Sequence, residues 1–76
     1  MSNITEQELQ EKKKLLIGTI IAHIQAVTEE EKLTLAIQGG ELTKWFVERN
    51  LVSKLIICFE EAYRMLEIKV QDQEEE

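Results

Sequence analysis

From Leu9 to Val70 the large apolar residues recur at steps of three and four, and no proline interrupts them. At about 100° per residue that spacing gathers side chains on one side of an α-helix. Without proline, no residue of the pattern lacks a backbone donor or clashes with the preceding turn. The chain is therefore expected to be all-α. Thr5-Glu6-Gln7-Glu8 has the spacing of a capping box, in which a threonine hydroxyl accepts from an amide three residues on and the glutamate reaches back. A first helix is expected over 6–27, its apolar face built from Leu9, Leu16, Ile17, Ile20, Ile21, Ile24 and Val27.

The same box recurs at Thr28-Glu29-Glu30-Glu31, with three carboxylates in a first turn where the helix dipole favours them. A second helix then carries Leu33, Ala36 and Ile37 until Gly39-Gly40, a natural left-handed stop. This predicts short helices over 29–38 and 41–49, followed by a long one over 51–70. The long helix places Val52, Leu55, Ile56, Phe59, Ala62, Tyr63, Leu66 and Val70 on one broad face, with Ile57 and Ile68 on the charged side opposite.

Two runs compete with this assignment: Leu55 to Phe59 is rich in β-prone residues, and Leu66 to Val70 alternates with period two. A hairpin would need turn residues between them. Glu60 to Met65 contains no Gly, Asn or Asp, so helix is the expected state.

Length sets the next constraint. In a 76-residue chain, a single core rarely supplies more than roughly 3–5 kcal/mol, and small domains usually add a staple. One cysteine, Cys58, cannot close an internal disulfide, and with the one histidine, His23, it cannot fill a four-ligand zinc site. Self-association is the remaining route. The expected architecture is a small bundle of three to four helices completed by dimerisation, forming one domain over 1–71 with an acidic, flexible tail over 72–76.

The net charge is −6, with Asp72, Glu74, Glu75 and Glu76 supplying most of it and leaving the body near neutral. That balance argues against nucleic acid or an anionic membrane as the main partner, since both call for lysine and arginine. The N-terminus lacks the basic start and apolar run of a secretory signal, and the mostly apolar stretch from Leu15 to Val27 is shorter than the ~20 residues a membrane span requires. A cytoplasmic protein is expected.

No catalytic, metal-binding or cofactor-binding constellation is expected, and no small-molecule substrate is evident. His23 and Cys58 sit in apolar surroundings suited to packing, and adjacent carboxylates such as Glu60-Glu61 diverge by about 100° on a helix. Lys12-Lys13-Lys14 is too short for a nucleic-acid patch and is expected to pair with neighbouring carboxylates. Leu35 to Leu51 has the outline of a helix-turn-helix, with Gly40 as the turn glycine and Lys44 and Arg49 as the cations of its second helix.

The leading expectation is a homodimeric protein-binding module, regulatory or adaptor in kind, acting through helix–helix contacts on itself and on another protein. A dimeric helix-turn-helix transcription regulator is the alternative. Trp45, Phe46, Ile57, Met65 and Ile68 are the interface candidates, because aromatics and methionine are enriched at interface centres and these positions have no evident place in one core.

Overall fold

The computed structural model describes residues 4–74, with side-chain surroundings given for residues 4–67. These residues form three helices and no strand: α1, Glu6–Gln25; α2, Glu29–Glu48; and α3, Val52–Glu74. The β-prone runs at 55–59 and 66–70 both lie inside α3. The stretch 72–76, expected as an acidic tail, lies outside the residues whose surroundings are described, although the α3 backbone is helical to Glu74.

Thr5 and Thr28 both cap their helices, but the reciprocal box expected at each forms only at Thr28. The amide of Glu8 donates to Thr5 Oγ1 at 3.0 Å. At α2 the box closes in both directions, the Glu31 amide donating to Thr28 Oγ1 at 3.1 Å and the Thr28 amide to Glu31 Oε1 at 3.3 Å.

The expected stop at Gly39-Gly40 does not occur. The helix passes through both glycines, neither of which adopts positive φ. A pair of glycines permits a left-handed stop without imposing one, and here α1 lies alongside: a Cβ placed on Gly39 would stand 3.6 Å from Thr19 Cγ2. That is ordinary van der Waals contact, and the packing of α2 along α1 offsets the poor helix propensity of glycine, about 1 kcal/mol per residue. Expected helices over 29–38 and 41–49 are therefore one.

The true break is Asn50, whose φ is 60°. The Leu51 amide donates to the Phe46 carbonyl at 2.9 Å and the Asn50 amide to the Val47 carbonyl at 3.1 Å. This is a Schellman motif, with asparagine tolerating the left-handed position and Leu51 turning back toward the apolar residue that opens the final turn. Leu51 accordingly packs against the core that contains Phe46.

α1 packs along both other helices, while α2 and α3 touch each other far less. The core is concentrated at the end of the bundle where Asn50 turns the chain. There Leu9 and Leu16 of α1, Leu42 and Phe46 of α2, and Cys58 of α3 are buried, with Leu51 and Leu55 packed against them. The other end is open. Leu33 and Ile37 in the first half of α2, and Ile24 and Val27 at the end of α1, are exposed. The radius of gyration is 14.0 Å, against the ~11 Å that a compact domain of this length would have.

Candidate functional site

The open end forms an apolar groove of about 250 Å3 with one helix on each side. Its floor is α1, which presents Leu16, Thr19, Ile20 and Ile24. The α2 wall is built from Leu35 and small residues, Ala36, Gly39 and Thr43, whereas the α3 wall carries the bulky rings of Phe59 and Tyr63. The groove's two threonines make their own hydrogen bonds: Thr19 Oγ1 donates to the Leu15 carbonyl at 2.7 Å and Thr43 Oγ1 to the Gly39 carbonyl at 2.8 Å. Neither hydroxyl requires a ligand, so the groove presents mainly apolar surface.

α3 extends this surface along its length. Val52, Ile56, Phe59 and Tyr63 are 48%, 53%, 38% and 55% exposed. They follow each other at steps of four, three and four, the spacing of a coiled-coil seam. A second seam, Leu51, Leu55, Cys58 and Ala62, has the same spacing one residue earlier and faces the bundle. The broad face expected to enter the core is thus divided. One half packs inward and the other is unpartnered.

The sequence-derived interface residues are dispersed. Phe46 is 0% exposed and belongs to the core. Trp45 is half-buried at the closed end, its ring edge-on to Phe46 with centroids 5.0 Å apart. Arg49 and Lys12 lie over that ring at 4.6 and 5.5 Å, so its accessible face is covered by cations of the same chain. Ile57 is half-buried and Met65 is 51% exposed. The side chain of Ile68 lies outside the described residues. None of these lines the groove. Of the residues that do, Leu16, Ile20, Ile24, Phe59 and Tyr63 fall on the expected apolar faces, but a helical wheel cannot tell which part of a wide apolar stripe meets a neighbour; the signal was the doubled four-three-four spacing in α3.

The lysine cluster also differs from expectation. Among the described residues the ion pairs within 4.0 Å join Lys32 to Glu29, Lys44 to Glu48 and Arg49 to Glu48, and none involves Lys12, Lys13 or Lys14. Lys12 is drawn to Trp45 instead, by the attraction of a cation for an aromatic face.

His23 and Cys58 are not brought together. The Cys58 thiol is buried beside the Lys13 carbonyl at 3.9 Å. His23 lies ten residues beyond Lys13, about 15 Å farther along α1, exposed at the groove rim. Burial pushes the Cys58 thiol up, with nearby Glu61 adding to the effect and Lys13 opposing it. The thiol is held protonated, which is the state of an inert structural cysteine. Among the described residues no group of three or more His, Cys, Asp or Glu is placed to hold a metal ion, and no helix is long and apolar enough to cross a membrane.

No protein-family model, curated protein or solved structure matches this chain. Its own geometry is the basis for any functional assignment. The turn required by a helix-turn-helix is not formed, since Leu35 to Glu48 is uninterrupted helix, and Lys44 and Arg49 are engaged with Glu48. The groove is smaller than the ~300–1,000 Å3 of typical small-molecule sites, yet larger than the ~150 Å3 cavity that accepts benzene. It is sized for one or two protein side chains.

Proposed function

We propose that this protein acts by binding, as a small regulatory or adaptor module that is homodimeric and meets protein partners through helix–helix contacts at its open end. The observation that carries this reading is the apolar surface left uncovered there: Ile24, Phe59 and Tyr63 are exposed in the lining of a groove, and Leu33 and Ile37 are exposed elsewhere on the first half of α2. Monomeric soluble proteins rarely expose contiguous apolar patches beyond a few hundred Å2, and larger ones mark interaction sites. The protected thiol of Cys58 and its distance from His23 favour binding over nucleophilic chemistry, which needs an ionisable nucleophile within reach of a base.

Sedimentation equilibrium of the full chain from about 5 to 100 µM is the direct test, since a micromolar Kd corresponds to about 8 kcal/mol of association. A mass rising above 8.9 kDa with concentration is expected. A mass fixed at 8.9 kDa throughout would remove the homodimer.

A further inference from the structure

Resting on that homodimeric reading, we infer that the occupant of the groove is α3 of a second copy, laid antiparallel across a two-fold axis so that Phe59 and Tyr63 of each chain seat against Ala36, Gly39 and Thr43 of the other. Three observations meet here. The first is shape. One wall of the groove carries two rings and the opposite wall is mostly small side chains, Ala36, Gly39 and Thr43 beside Leu35, so ridge and hollow lie side by side on one face. A two-fold rotation brings each ridge to the other copy's hollow, the self-complementary arrangement that a closed dimer requires.

The second is area. A standard interface removes about 800 Å2 from each partner, a little under two-thirds of it apolar, and so draws on roughly 500 Å2 of apolar surface. An aromatic side chain presents roughly 150–250 Å2 in all and an aliphatic one somewhat less, so five that are about half exposed come close to that amount. Val52, Ile56, Phe59, Tyr63 and Ile24 are five such residues, four on the α3 seam and one on the groove floor.

The third is the helix dipole. α3 is 23 residues long, so a parallel pair would set like ends of two long helices together, whereas an antiparallel pair opposes them.

The test uses the full-length chain. Sedimentation should give twice 8.9 kDa for the parent. Ile56→Glu buries a charge in the seam and Ala36→Phe fills the hollow; each is expected to weaken association by about 100-fold or more. Helicity by circular dichroism should stay at the parent's level in both. Ala36 is exposed within its own chain, so Ala36→Phe remains informative even if Ile56→Glu disturbs folding. Met65→Glu, on the other side of α3, should leave the dimer intact.

Orientation is read by oxidative cross-linking in a Cys58→Ser background. Ser53→Cys mixed with Glu67→Cys should give a disulfide-linked heterodimer, whereas efficient self-linking of either variant alone would overturn the antiparallel arrangement. A dimer unaffected by both Ile56→Glu and Ala36→Phe would overturn this interface while leaving the homodimer standing. A parent chain that stays at 8.9 kDa would overturn both.

Discussion

The two ends of the bundle are made of the same helices and similar residues, yet one is closed and the other open. At the closed end Phe46 fills the space between α1 and α3, and the Schellman turn at Asn50 brings Leu51 back over it. A five-residue core cluster is sealed there, with Trp45 and its two cations at the margin. At the open end α2 offers Ala36 and Gly39 where a Leu or Phe would be needed to reach α3, and Phe59 and Tyr63 are left lining a groove. The lesson is that closure of a three-helix bundle depends on bulky residues at matched levels of all three helices. Stability should therefore be concentrated at the closed end, with the groove at the other and the exposed α3 seam running from one end toward the other.

That contrast can be broken most forcefully at Phe46. Replacement by alanine is expected to cost about 3–5 kcal/mol, close to the whole stability available to a core of this size, so Phe46→Ala should be largely unfolded by circular dichroism at 25 °C. Ile37→Ala at the open end should change the urea midpoint by no more than about 0.5 kcal/mol equivalent. Equal losses at the two positions would erase the distinction between the ends.

A sharper version compares neighbours in sequence. Leu16 is 1% exposed and Leu15 is 50% exposed. Leu16→Ala should cost about 2–5 kcal/mol in urea unfolding, and Leu15→Ala less than half as much. Next in size is the turn that closes the base. Asn50→Val places a β-branched residue at a φ of 60° and should cost about 1–2 kcal/mol, whereas Asn50→Gly should be neutral or stabilising.

The smallest effects are expected on α2. Thr28→Ala removes the capping box and should lower stability by about 1 kcal/mol. Gly40→Ala should raise it by roughly 0.5–1 kcal/mol, because the site is helical and a Cβ there meets nothing within 4 Å. A loss at Gly40→Ala would mean that the helix does not run through the glycine pair in solution.

Much of the fold was legible in the sequence because its signals are local. An N-cap threonine accepts from an amide within one turn, which is why Thr5 and Thr28 mark the starts of α1 and α2. Period-three-to-four spacing placed the three segments in the helical state and overrode the β propensity of Leu55 to Phe59. Gly39-Gly40 was misleading because glycine permits a stop without imposing one, and packing along α1 kept the helix continuous. The interface candidates failed to mark the groove for a related reason. Bulk and aromaticity at Trp45 and Phe46 suit a core as well as an interface, and only their neighbours distinguish the two.

The sequence by itself determined that this chain is helical, where α1 and α2 begin, and that no internal disulfide staples it, since each depends on residues within a turn of one another or on a simple count. Only the tertiary structure decided which of the two seams of α3 is buried. Both have the same four-three-four spacing, and a helix flanked on one side can cover just one of them. Leu51, Leu55, Cys58 and Ala62 meet the other helices, and Val52, Ile56, Phe59 and Tyr63 are left facing outward.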